Sequence, residues 1–178
     1  AIITRDKAIQ SIKAIAKKFK GNDIERREMI QIALNELRTK VGAERVTIWM
    51  YNNGQSSLNG YCYKYASIVY EAFNEIRSKP MASEYRNTPV EGYLSVISEI
   101  QRAKKYQLYN INSNNTVATS MLLMNGHTST IEYKFVDSDL YQGFISVGFT
   151  NKDRPSDSDI AMTAQTAAYI HNQIKAMR

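Results

Sequence analysis

Two histidines, one cysteine and twelve tyrosines are the side chains on which chemistry in this 178-residue chain could rest. His127 follows Gly126 at the head of a β-type run, where it could touch a ligand. His171 sits between Ile170 and Asn172 in a helical stretch and reads as a surface or interface residue. Two histidines without a second close ligand do not make a transition-metal site. A Ser-His-Asp arrangement cannot be recognised from residue types alone. There is no Gly-x-Ser-x-Gly, no P-loop and no His-Glu-x-x-His. These observations predict no catalytic residues, no metal and no cofactor, and therefore a non-enzymatic protein.

Cys62 stands among tyrosines with Lys64 as its one basic neighbour, which does not indicate an activated thiolate. It reads as a small buried hydrophobe. The aromatic residues are the stronger signal. Trp49, Tyr51, Tyr63, Tyr65, Tyr93 and Tyr109 are candidates to line a pocket for a small planar or polar ligand, with Tyr133 a further possibility. Ser120, Met124, His127 and Thr128 complete the candidate ligand-binding set. The alternative is that these aromatics are core and sheet surface. They do not alternate with Lys or Arg, which argues against single-stranded nucleic acid.

The elements that must position these residues can be read from periodicity. Ile9, Ile12, Ala16 and Phe19 recur three and four apart, a narrow helical seam over residues 4 to 20 that Gly21 should end. A second helix, capped by Asn22 or Asp23, should run to about Lys40 on Ile30, Ala33, Leu34, Leu37 and Val41, with Gly42 stopping it. Arg45 to Tyr51 is β-branched and aromatic and predicts a strand. Asn52-Asn53-Gly54 is a turn signal, and Tyr61 to Phe73 a second strand, bent near Ala66-Ser67, with Tyr61, Tyr63 and Tyr65 on one face. Residues 74–90 carry Pro80 and Pro89 and should be irregular. Glu91 to Lys105 predicts a helix, Tyr106 to Ile111 a short strand, and Thr116 to Met124 a helix capped by Asn115 or Thr116. Thr128 to Val136 and Tyr141 to Thr150 predict a hairpin turning at Asp137-Ser-Asp139. Ser158 to Met177 predicts a closing helix. Adjacent strands that are hairpins imply an antiparallel sheet of five or six strands, one face under helices and the other free to hold a pocket roofed by the middle segment. The fold class is α+β, with residues 1–21 a helical arm and 22–178 the domain.

The terminal helices suggest a partner. Ala164, Ala167 and their alanine neighbours allow close helix approach, and Ile170 and Ile174 add apolar surface. Together with Ile9, Ile12, Ala16 and Phe19 they form a candidate homodimer seam, in competition with a face buried inside the chain. The net charge of +6 is mild and spread out, which reads as solvated helix ends. A single cysteine excludes an internal disulfide, and no apolar run reaches the ~18 residues of a membrane helix. The chain starts at Ala1, without methionine, which leaves room for an upstream membrane anchor or partner domain. The expected location is the cytoplasm, or the soluble part of a membrane-anchored protein.

Several stretches over residues 22–178 resemble a GAF domain. Leu37-Arg-Thr-Lys-Val-Gly-Ala-Glu-Arg-Val-Thr-Ile-Trp49 is similar to the first helix, Gly-Ala turn and first strand of that superfamily. Ala118 to Thr130 is similar to the segment before its penultimate strands. Gln142-Gly-Phe-Ile-Ser-Val-Gly-Phe149 resembles the glycine-led strand that follows, and Ser156-Asp-Ser-Asp-Ile160 the opening of the last helix. The hairpin at Ile48 to Gly54 also resembles that of some phage-encoded GAF-like proteins, which tend to have histidine where this chain has Asn52. The resemblance implies a sensory or regulatory domain with terminal helices lying side by side and pairing with a second copy. It also narrows the chemistry. GAF-like methionine sulfoxide reductases use several cysteines, and bilin-binding relatives often place histidine after the attachment cysteine, where Tyr63 stands here. Asn151-Lys152 with Asp157 and Asp159 matches part of the cyclic-nucleotide signature, but its phenylalanine is missing and Ile160 replaces glutamate. A Lys-Asp pair in this loop is expected to be structural. The function expected is a ligand-responsive regulatory domain, and the alternative a structural or assembly module of a phage membrane-anchored protein with no ligand.

Overall fold

The computed structural model describes residues 5–52, 63–137 and 140–177, and omits the side chains of 5–9, 11–21, 137, 140 and 141. Helix α1 (Arg5–Val41) is followed by strands β1 (Arg45–Asn52), β2 (Tyr65–Phe73) and β3 (Thr88–Pro89). A short 3-10 turn, Val90–Tyr93, leads into α2 (Leu94–Arg102), β4 (Tyr106–Asn110) and α3 (Thr116–Asn125). The hairpin β5 (Ser129–Asp137) and β6 (Leu140–Phe149) precedes α4 (Asp157–Ala176). All strands form one antiparallel sheet in the order β3-β2-β1-β6-β5-β4. The expected antiparallel α+β architecture of five or six strands is observed, with six strands among the described residues, although the two-residue β3 lies in the 74–90 segment expected to be irregular.

The expected break at Gly21 does not occur, and α1 is a single helix of 37 residues. A glycine inside a helix costs about 1 kcal/mol relative to alanine, too little to end a helix whose later turns are anchored. Ile30, Leu34, Leu37 and Val41 supply that anchor, each buried against the sheet. The helix ends where predicted, at Gly42, whose φ of 68° only glycine adopts freely.

Strand β1 pairs with β2 on one side and β6 on the other, which joins the two hairpins into one ladder. The bend expected near Ala66-Ser67 lies slightly later. The pairing steps from Ile48–Tyr70 to Trp49–Ile68, leaving Val69 without an opposite residue. That bulge keeps Ala66 and Ile68 on one face of the sheet and turns Tyr70 and Ala72 to the other. Tyr63 and Lys64 precede the strand and are not part of it. Cys62, Tyr61 and the turn signals Asn53-Gly54 and Ser138-Asp139 lie outside the described residues.

Helices α1 and α4 pack side by side on one face of the sheet, joined near one end by a 2.9 Å hydrogen bond from Arg26 to Gln173. Their shared core contains Val46, Ile48, Ile131, Ile145, Val147 and Phe149 from the sheet. The opposite face is covered by α2 and α3, with Val96, Ile100, Ala118 and Leu122 packed on Tyr51, Tyr109 and Phe144. Among the described residues no helix is long and apolar enough to cross a membrane.

Candidate functional site

Alternation along three central strands puts a second set of side chains under α2 and α3. On β1 these are Arg45, Thr47, Trp49 and Tyr51. On β5 they are Thr130 and Glu132, and on β6 Phe144, Ser146 and Gly148. Two small adjoining cavities, each of about 60 Å³, lie between this face and the helices. Trp49, Val96, Met121, Glu132 and Ser146 border both. A wider cleft of about 230 Å³ opens outward between α3 and the 85–93 segment, and Met121 lines it too.

Trp49 makes the flat wall. Its ring is nearly parallel to Phe144, at 11° with centroids 6.0 Å apart, and Tyr85 meets it edge-on at 5.5 Å. The indole N–H donates to Thr47 Oγ1 at 3.1 Å, which fixes the ring orientation. Tyr109 Oη donates to Glu99 Oε2 at 2.6 Å, so this hydroxyl links β4 to α2. Burial, reinforced by the Glu99 carboxylate, pushes the Tyr109 pKa well up.

Arg45 forms a buried ion pair with Glu71 at 2.8 Å and also donates to the Lys79 carbonyl. His127 packs flat against the backbone of Gly148, where a Cβ would come within 2.2 Å of the imidazole. Burial, helped by the nearby Arg45 charge, lowers the His127 pKa to about 4. Glu132 is 8% exposed and accepts a 3.0 Å hydrogen bond from Ser146 Oγ on Oε1. Its other oxygen, Oε2, is buried with no hydrogen-bond partner. Burial raises the Glu132 pKa to about 8, against the opposing influence of the Ser146 and Thr130 hydroxyls. At neutral pH the site therefore holds a neutral imidazole and a neutral carboxylic acid.

The structure brings Trp49, Tyr109 and His127 together at the inner cavity. Tyr93 borders the second cavity and the outer cleft, while Ser120 and Met124 line only the cleft. Tyr51 is buried in the neighbouring aromatic core, stacked on Tyr63 at 5.5 Å. Tyr65 is set apart at the start of β2, opposite Asn52 and Pro89. Tyr133 faces the α1–α4 side and stacks on Tyr106. Thr128 is also elsewhere, since its hydroxyl donates to the carbonyls of Phe149 and Lys152.

Glu132, Ser146, Arg45 and Met121 were not among the residues expected here. The sequence does carry a faint signal for Glu132. Thr130-Ile-Glu-Tyr-Lys-Phe135 alternates polar and apolar, and the polar phase reads as solvent-facing until a second layer covers it.

The Asn151-Lys152 loop is structural. Lys152 Nζ bonds Asp159 Oδ2 at 2.9 Å and the Val41 carbonyl at 3.2 Å, tying the start of α4 to the end of α1. Asp159 and Ser156 form a reciprocal capping box at the α4 N-terminus.

Of the candidate dimer positions, Ala167 and Ile170 are buried inside the chain against α1 and the sheet. Ile174 packs against the same core and Ala164 is half-buried. The side chains of Ile9, Ile12, Ala16 and Phe19 lie outside the described residues.

No family model and no curated protein matches this sequence. Solved structures do resemble the fold. The phycoerythrobilin-bound GAF domain of a cyanobacterial phytochrome superposes with a TM-score of 0.69 at 12% identity, covering 99% of this chain and 97% of that one. A red/green cyanobacteriochrome in its red light-absorbing state gives 0.66 at 10% identity, over 85% of this chain and 95% of the other. A far-red cyanobacteriochrome photoreceptor gives 0.64 at 15% identity, over 98% and 97%. The fold is GAF-like.

Proposed function

We propose that this chain is a non-enzymatic sensory or regulatory domain that binds a small molecule between its sheet and α2–α3, and dimerises through its terminal helices. The observation that carries the reading is the polar face of buried Glu132 and His127 with half-buried Ser146, set against the aromatic wall of Trp49. An unpartnered buried carboxyl oxygen costs stability, which supports an occupant beside it. Occupancy of the cavity would order α3 and Met121, and the sheet would pass the change to α1 and α4 on its other face. Such a response is a population shift between two helix arrangements.

The dimerisation element is supported by exposed apolar side chains on the outer surface of the helix pair. Ile24, Met29 and Ile32 on α1 and Tyr169 on α4 are all exposed, and a groove of about 530 Å³ runs between the two helices. A cytoplasmic location, or the soluble part of a membrane-anchored protein, fits the same reading. The phycoerythrobilin bound by one structure of similar fold supports small-molecule binding as a use of this fold.

The test is a thermal-shift screen against metabolites and nucleotides, with light scattering to count copies in solution. A ligand at about 100 times its dissociation constant should add ~2.7 kcal/mol. A flat response across a broad library would leave the second reading, an assembly module of a phage membrane-anchored protein. The small size of the inner cavities favours that alternative.

A further inference from the structure

The cavity has one feature that its wall does not explain. Several of its polar side chains are already engaged. The Trp49 N–H is given to Thr47, the Tyr109 hydroxyl to Glu99, and the Arg45 guanidinium to Glu71 and Lys79. Glu132 Oε2 is different. It belongs to a side chain more than nine-tenths buried, on a residue that borders both inner cavities, and it has no hydrogen-bond partner. Leaving such an atom unsatisfied costs about 1–3 kcal/mol, so its retention calls for an occupant that completes it.

The shape of the missing partner follows from the neighbours. Oε1 already accepts from Ser146, and one further lone pair remains on it. In its neutral form the acid offers O–H from Oε2 beside the acceptor Oε1. The complement is a donor and an acceptor side by side, as in a lactam or primary amide. A charged amine or carboxylate is the poorer fit, since it would have to be desolvated beside a carboxyl group that burial keeps neutral. The stacked Trp49–Phe144 wall favours a flat ring. Inner cavities of about 60 Å³ each admit a single ring rather than a large chromophore.

We propose that Glu132 recognises a small, neutral, planar molecule with an amide-type edge, donating from Oε2 to its carbonyl and accepting its N–H on Oε1. This rests on the cavity being a ligand site, as proposed above, and adds the class of ligand and the residue that selects it.

Uracil is a suitable probe, being one flat ring with two such edges, and its fully N-methylated form keeps the shape and removes the N–H. Ligand-observed NMR should show uracil binding at about pH 6.5 and at least about tenfold weaker binding of the methylated form. Glu132→Gln keeps a donor beside an acceptor and should hold affinity within about threefold, whereas Glu132→Leu should lose about tenfold or more. Wild-type affinity should fall above about pH 8, when Oε2 loses its proton, and the Gln variant should show no such fall. Equal binding of uracil and its methylated form to the wild-type protein overturns the inference without relying on any variant. So does undiminished binding by a Glu132→Leu protein of native circular dichroism. If uracil fails but other metabolites bind in a Trp49-dependent manner, the pairing is wrong and the cavity is still a ligand site. If nothing binds, both proposals fall.

Discussion

The two faces of the sheet are built from alternate residues of the same strands, yet they bury different chemistry. Under α1 and α4, Ile131, Ile145, Val147 and Phe149 meet Ile30, Leu34 and Ile170, and the contact is closed and apolar. Under α2 and α3, Thr130, Glu132 and His127 are buried and Ser146 is half-buried beside Trp49 and Tyr109, and space is left over. The first face supplies stability through burial of apolar surface. The second spends some of that stability on polar groups held out of water. A step of one residue along β5 or β6 passes from one regime to the other.

The largest expected effect sharpens this contrast directly. Phe149→Ala, at a fully buried site under α1 and α4, should cost about 3–5 kcal/mol in urea unfolding. Val96→Ala, which borders the cavities, should cost clearly less because space is already present there. Equal losses would mean that the two faces contribute alike.

The second effect is on pH dependence. Glu132 has its folded-state pKa raised, so its stability contribution is full below about pH 4.5 and is lost as pH rises through about 8. His127 is shifted the other way, so its contribution is present above about pH 6.5 and is lost as pH falls through about 4. Between about pH 4.5 and 6.5 the two slopes oppose, and stability should be nearly level. From about pH 6.5 to 8 the Glu132 slope acts alone, at about 1.4 kcal/mol per unit or ~2 kcal/mol in all. Glu132→Gln should abolish that alkaline decline in denaturant titrations at stepped pH. A decline that persists in the variant would place its origin in another group.

Gly148→Ala is expected to be next. The new Cβ would occupy the space of the His127 ring, so the imidazole must move, at a cost of about 1–3 kcal/mol. The displaced histidine should titrate nearer its ordinary pKa by NMR and the acid-side loss of stability should shrink. An unchanged titration would show that the ring is not held by that contact. The smallest effect falls on the closed side: Ser156→Ala removes the α4 cap and should cost about 1 kcal/mol with no change in the pH profile.

Much of the fold was legible from local pattern. The periods of β1, β5 and β6, the Gly42 stop, the Asn115 cap and the glycine at position 126 each left a clear mark. Helix α1 was misread at Gly21 because a local breaker signal is weak against anchoring by Ile30, Leu34 and Leu37. The bulge at Val69 was legible only as a bend placed a few residues too early, since its phase change depends on which face β1 presents. Among the candidate site residues, Trp49, Tyr109 and His127 were found by type, because aromatic and imidazole groups are conspicuous. Glu132 was missed because an alternating charged residue in a strand ordinarily faces water. Ala167 and Ile170 illustrate the opposite problem: a helix face that looks equally suited to a partner or to its own core.

The order of elements from β4 onward, the apolar phase of the central strands, and the absence of recognisable catalytic motifs were settled by the chain of residue types alone, since these are properties of short windows. Which polar phase became an interior was decided only when α2 and α3 folded over it. Burial is a property of three-dimensional neighbours, and the same carboxyl group that would be an ordinary surface acid on an open sheet becomes a neutral hydrogen-bonding group under that second layer.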